Sequence, residues 1–256
     1  MNDWKPSILQ FLDEFRKENK IIGVLACGSY ITGQPSKRSD IDLHLILPDT
    51  VDYRERGDIY RNGFLIEYFA NPPKQILNYF SDDHKNNRAM AITQFITGDI
   101  IFEENNVITD LKQKAKEYLN TPFLQEDLSK KEISKYAIWD TLDNLQDAAE
   151  NNAPDFKFMF GHALYEFYET YAKYLRLQVV FPEKLFNYFS DESMRNKYLL
   201  DEFPDLEFAK IFKKVLMSEG NNEMMVMAKV IVDHIHGKMG GFQIDGWKIR
   251  TKLPTV

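Results

Sequence analysis

Apolar residues at helical spacing open the chain. Ile8, Phe11, Leu12 and Phe15 fall on one face of a helix predicted over residues 7–20, with Ser7 placed to cap it. The pattern then changes to that of strands. Residues 21–27, Ile-Ile-Gly-Val-Leu-Ala-Cys, are a nearly continuous apolar run. Residues 40–47 alternate, with Ile41, Leu43 and Leu45 on one face and Asp40, Asp42 and His44 on the other. Pro48-Asp49 ends this strand. Residues 58–60 and 64–69 read as two strands joined by an Asn62-Gly63 hairpin turn, and Pro72-Pro73 stops them. Helices are predicted over 74–80, 87–97 and 109–119, with a short strand over 99–102 at the sheet edge.

Asn120-Thr121-Pro122 is the predicted boundary between two domains. Beyond it the apolar period is helical almost throughout: 126–151, 155–180, a shorter region opened by Pro182, 205–217 and 223–236, before Gly237, Gly240 and Gly241 break the pattern. The fold class that follows is α+β, a small mixed-sheet domain over 1–120 and a helical bundle over 121–256. The aromatic series Phe156, Phe158, Phe160, Tyr165, Phe167, Tyr168, Tyr171 and Tyr174 reads mainly as bundle core, with a few members available to line a ligand pocket.

Composition narrows the setting. At 256 residues and 44% apolar content the chain can bury the cores of two ordinary domains. Its single cysteine, Cys27, lies in an apolar strand and reads as a buried reduced thiol, so a reducing cytoplasm is expected. The opening Met-Asn-Asp-Trp-Lys-Pro lacks the basic and apolar regions of a signal peptide, and no apolar run reaches membrane-span length. The net charge of −7 is unevenly placed. Residues 126–210 hold 17 acids and 10 bases, and the rest of the chain holds 22 of each. That sign opposes a nucleic-acid partner and suits a cationic small molecule, although solvated helix faces account for most of these acids.

The most specific chemistry lies in residues 28–42. Gly28-Ser29 follows one strand, and Asp40-Ile41-Asp42 opens the next after a gap of ten residues. Two carboxylates on one strand face repel each other unless cations sit between them, which points to divalent metal. Gly28 permits close backbone approach and Ser29 offers a hydroxyl, both suited to phosphate, especially if a short helix begins there. Lys37 and Arg38 in the following loop are further candidates for phosphate contact or, equally, exposed loop cations. Ser39 reads as a turn former. His44, below Asp42 on the same face, reads as a buried, hydrogen-bonded histidine or as a partner of a metal ligand. His234 and His236 do not form a zinc pattern.

This set resembles the signature of the nucleotidyltransferases of the DNA polymerase beta superfamily: an apolar residue, Gly, Ser, a gap, and Asp-x-Asp between apolar residues. The resemblance covers about residues 20–70. It implies a third carboxylate on a neighbouring strand, a role that Glu67 in Phe64-Leu65-Ile66-Glu67-Tyr68-Phe69 fills. It further implies two Mg²⁺ ions held by Asp40, Asp42 and Glu67, and a nucleoside triphosphate, ATP as first choice, as donor. A mixed domain followed by helices is also similar in architecture to the small bacterial enzymes that modify aminoglycoside and lincosamide antibiotics. That analogy implies a small hydroxyl-bearing acceptor between the sheet and the helices, met by Asp140, Asp143 and Glu166, with Asp147 as another candidate base. A protein-directed adenylyltransferase and an inactive nucleotide-binding relative are the alternative readings. Oligomeric state is not legible in the sequence.

Overall fold

The computed structural model describes residues 4–251. The chain divides into two compact units, Met1–Pro122 and Phe123–Val256. The first is a mixed α/β unit with a five-stranded sheet, and the second is a helical bundle.

The sheet consists of β1 (Gly23–Cys27), β2 (Ile41–Ile46), β3 (Glu55–Arg61), β4 (Phe64–Asn71) and β5 (Asp99–Glu103), in spatial order β3-β4-β2-β1-β5. β2 and β4 run parallel, and the other neighbouring pairs are antiparallel. Alternation along the strands divides their side chains between two cores. Val24, Ala26, Ile41, Leu43, Leu45 and Ile66 pack with the helix α1 (Lys5–Phe15), through Ile8, Phe11 and Leu12. Leu25 and Ile46 face the opposite way, against α2 (Pro73–Lys85), α3 (Met90–Thr97) and α4 (Val107–Asn120), through Phe80, Phe95 and Leu111. Burying a side chain of this size contributes about 1.5–3 kcal/mol, so an opposite alternation in β2 would forfeit several such contributions at once.

Several boundaries differ from the sequence pattern. α1 begins at Lys5, with Pro6 in its first turn, so Ser7 is interior and buried rather than a cap. Its Oγ instead accepts a hydrogen bond from Asn62 Nδ2 at 3.4 Å. α2 continues to Lys85 through a polar stretch. There Asp83 accepts the Ala91 amide at 2.7 Å and so fixes the start of α3 at Met90. The hairpin turn forms as expected: Asn62 and Gly63 have φ of 52° and 84°, the pair of positive values that a two-residue hairpin with right-handed strand twist requires.

The bundle comprises α5 (Leu128–Glu150), α6 (Phe156–Tyr174), a single 3-10 turn (Pro182–Lys184), α7 (Leu185–Ser190), α8 (Glu192–Lys197), α9 (Leu206–Leu216) and α10 (Asn221–Lys238). α6 stops at Tyr174 instead of reaching residue 180. Arg176 takes φ of 59°, and the Leu177 amide returns to Ala172 O at 2.8 Å. Val179 and Val180 remain buried beyond the helix, and the Val180 amide donates to the Tyr168 hydroxyl at 2.9 Å. Phe156, Phe160, Phe167, Tyr168 and Tyr171 form core as expected, whereas Phe158 is exposed. Asp205 ties three elements together. Its carboxylate caps α9 through the Phe208 amide at 3.0 Å and accepts the Tyr171 hydroxyl at 2.7 Å and His234 Nε2 at 2.8 Å. Burial opposes its charge, but these hydrogen bonds outweigh burial and hold the carboxyl below the usual range.

No helix among the described residues is long and apolar enough to cross a membrane.

Candidate metal centre

β2 and β4 carry the candidate ligands. Ile41 pairs with Ile66 and Asp42 with Glu67, so the two acids stand side by side on one sheet face, with Asp40 just before the first residue of β2. One carboxylate oxygen from each of Asp40, Asp42 and Glu67 lies within 4.8 Å of the others, and all three residues are partly buried. The same face is closed further along: His44 and Ile46 are buried, while Asp42 is not. Helices α2–α4 therefore cover the far part of this face, and the acids occupy its open end.

Gly28 is part of the same construction. It follows Cys27, the register partner of Asp42, and has φ of 79°. A Cβ added there would lie 1.9 Å from Asp42 Oδ2. The Asp42 carboxylate is thus packed directly on the Gly28 backbone, and no side chain fits between them. The following residues form hydrogen-bonded turns, and no helix begins there: Ile31 N and Thr32 N donate to Gly28 O at 3.2 and 3.1 Å, and Thr32 Oγ1 reinforces this at 3.2 Å. Ser29 is half-buried on this turn. Ser39 shapes the next one, its Oγ accepting the Ser36 amide at 2.8 Å. Lys37 and Arg38 are exposed there and line a cleft of about 1330 Å³ with Trp4, Tyr30, Tyr60 and Phe64. Ser39 and Leu65 also line it, and these two precede Asp40 and Glu67 by one and two residues.

The acids make their field felt on the neighbouring thiol. Burial raises the Cys27 pKa well above its ordinary value, and the charges of Asp42, Asp40 and Glu67 raise it further. The thiol therefore stays protonated and inert. His44 belongs to the core. Its Nε2 pairs with Gln94 Oε1 at 3.2 Å and its ring packs on Phe95 and Phe69 with centroid separations of 4.7 and 5.4 Å. Burial pushes its pKa down to about 4 against the opposing effect of Gln94. A pH dependence follows. Below the unfolded value of about 6.5 the unfolded chain binds a proton that the folded chain refuses, so stability is complete above that value and is lost down to pH 4. The gap corresponds to about 3 kcal/mol. Urea unfolding between pH 7.5 and 4 should show this extra loss in the wild type and its absence in His44→Leu. Parallel stability curves would refute it.

Sequence reasoning missed Arg56. It lies on β3, with Nε 3.1 Å from Glu67 Oε1 and Nη2 in close contact with the same oxygen. Of the predicted acceptor-side residues, Asp143 lines a cleft of about 700 Å³ with Trp139, Met225, Lys229, Asp233 and Phe242. Asp140 and Glu166 are not among the residues around that cleft. Asp140 accepts from Asn144 Nδ2 at 3.3 Å, and Glu166 from Thr141 Oγ1 at 3.1 Å.

Residues 8–140 match the family described as Nucleotidyltransferase domain, which is more than half of the chain. The chain belongs to the nucleotidyltransferase domain family. The match takes in the whole sheet and the first part of α5, and it identifies the α/β unit as a nucleotidyltransferase domain of the DNA-polymerase-beta-like kind. Among solved structures, the chain is similar to a nucleotidyltransferase-like protein from Exiguobacterium sibiricum at 14% identity and a TM-score of 0.47, over 91% of this chain and 74% of that one. No curated protein matches. The family supplies the class of chemistry, and the acidic cluster of the nucleotidyltransferase domain is fit to hold a divalent cation: three hard oxygen donors converge, and the glycine beneath them leaves room for one of them.

Proposed function

We propose that this protein transfers a nucleoside monophosphate, AMP from ATP, to a hydroxyl of a small cationic acceptor of the antibiotic-like kind, with Mg²⁺. The observation that carries this reading is the convergence of Asp40, Asp42 and Glu67 within 4.8 Å on the open end of the sheet. These residues would hold two Mg²⁺ ions, which supply charge neutralisation on the departing pyrophosphate and acidify the attacking hydroxyl. The chain's own residues prepare the rest. Gly28 and Ser29 offer backbone and hydroxyl to phosphate beside Asp42, and Lys37 and Arg38 on the adjoining loop supply positive charge. The buried face behind Asp42, closed by His44, Phe69 and Phe95, keeps water from the inner side of the cluster.

The division of labour we infer assigns the nucleotide to the α/β unit and acceptor recognition to the helical unit, with Asp140, Asp143 and Glu166 as acceptor contacts. The acidic surplus of residues 126–210 supports a cationic acceptor. The single thiol, buried and protonated, supports a cytoplasmic setting.

The test is pyrophosphate release with each of the four nucleoside triphosphates and Mg²⁺, against a panel of small hydroxylated amines. Release dependent on ATP, Mg²⁺ and an amine acceptor is expected, with an acceptor KM that rises with salt. Release with neutral hydroxyl compounds alone would overturn the cationic acceptor. Absence of release with every nucleotide and acceptor would overturn the enzymatic reading.

A further inference from the structure

Arg56 lies on β3, the strand at one edge of the sheet, where its register partner is Phe69. It therefore sits diagonally from Glu67, whose own register partner is Asp58. Like charges directly opposite one another on a sheet face are unfavourable, so Glu67 stands where its carboxylate needs a counter-charge. Arg56 supplies it in a particular way: both Nε and Nη2 donate to Oε1, and neither donates a hydrogen bond to Oε2. The guanidinium also lies over the Phe69 ring, 4.8 Å from its centroid, so it is held at two points. The Arg56 side chain is nevertheless 66% exposed, against 15% for Glu67. An ion pair with so exposed a partner adds little to stability. The fold therefore does not explain the arrangement, whereas its one-sided grip on the carboxylate does.

We propose that Arg56 is a positioning residue for the metal centre: by clamping Oε1 it holds Glu67 in the conformation that offers Oε2 to a divalent cation shared with Asp40 and Asp42. This rests on the metal reading of those three acids. Charge alone would give Arg56 the opposite effect, because a guanidinium repels a nearby cation and its removal would tighten cation binding. Positioning predicts weaker binding on removal. A released Glu67 samples other rotamers and is pushed by Asp58 across the strand. Groups that orient ligating carboxylates are typically worth about 10–100-fold in metal affinity.

The sign of the effect is the test. Mn²⁺ alone is titrated into the full-length protein, with free ion followed by electron paramagnetic resonance, for the wild type, Arg56→Met, Arg56→Lys and Glu67→Gln, with Tm recorded for each. Arg56→Met should weaken Mn²⁺ binding about tenfold at an unchanged Tm. Arg56→Lys should recover part of the loss, and Arg56→Met should cost nothing further in the Glu67→Gln background. Unchanged or tighter binding in Arg56→Met overturns the proposal while leaving the metal reading intact. A wild-type protein that fails to bind Mn²⁺ overturns both. If Arg56→Met does not fold, Arg56→Lys carries the decision by the same sign.

Discussion

Asp40→Asn and Asp42→Asn are each expected to reduce nucleotidyl transfer by roughly a hundredfold or more, equivalent to about 2.7 kcal/mol of barrier, without unfolding the protein. Each change removes one of three charges whose oxygens lie within 4.8 Å. At that separation two like charges repel by about 1–3 kcal/mol, depending on how much water screens them. In the protein without metal, Arg56 offsets part of this repulsion at Glu67. The amide variants should therefore be at least as stable as the wild type when metal is absent. With Mg²⁺ the order reverses: the wild type gains stability by binding the ion in its folded state, and the variants do not. Thermal unfolding with and without Mg²⁺, beside the pyrophosphate assay, separates the two effects. Turnover in either variant above a hundredth of the wild type would count against the metal assignment, and an unfolded variant would show that the carboxylates serve the fold.

The elements that the chain announces clearly are those whose pattern is internal to them. β2 alternates from Ile41 to Leu45, and its alternation decides which face receives Asp42. Where the pattern depends on distant partners, the sequence is silent. β3 begins at Glu55, four residues before its first apolar side chain, Ile59, because Glu55, Arg56 and Gly57 are held by pairing to Ala70, Phe69 and Tyr68 of β4. α6 ends at Tyr174 without a glycine or proline to mark it: Arg176 adopts the left-handed conformation that usually signals glycine, and the tertiary packing of Val179 and Val180 holds the chain there. Ser7 looked like a cap because the apolar period starts after it, yet Pro6 allows the helix to start earlier.

The same distinction applies to the site. Asp40, Asp42 and Glu67 are brought together as their strand positions required. Arg56 was hidden because it lies in a stretch with no strand pattern of its own. A signal for it was nonetheless present. The Asn62-Gly63 turn fixes the hairpin register, Arg61 opposite Phe64 and Asp58 opposite Glu67. Counting outward from that turn places Arg56 on the face of Glu67 and places Asp58 directly against it. A like-charge pair in that register asks for a cation nearby, and Arg56 is the basic residue two positions away. The acceptor side had no such constraint. Asp140, Asp143 and Glu166 were chosen from helix faces alone, and of the three only Asp143 borders the cleft of about 700 Å³ described above.

Gly28→Ala should be nearly as damaging as loss of Asp42, for a reason that spacing could not reveal. A glycine beside a phosphate site is ordinarily explained by backbone approach to the ligand. Here the nearer constraint is the protein itself, since a Cβ would fall 1.9 Å from Asp42 Oδ2 and 3.0 Å from its Cγ. The Asp42 carboxylate must leave its position, and the alanine must also hold φ near 79°, a conformation that costs an L-residue about 1–2 kcal/mol. Transfer and Mn²⁺ affinity should both fall by roughly a hundredfold, as for a lost ligand. A double-mutant cycle isolates the clash from the strain. In an Asp42→Ala background the methyl meets no carboxylate, so Gly28→Ala should there cost only the backbone strain. The two changes should then couple by about 1 kcal/mol or more in urea unfolding. Additive stabilities together with undiminished Mn²⁺ binding in Gly28→Ala would show that the Asp42 carboxylate yields freely, and that Gly28 serves the nucleotide rather than the metal ligand.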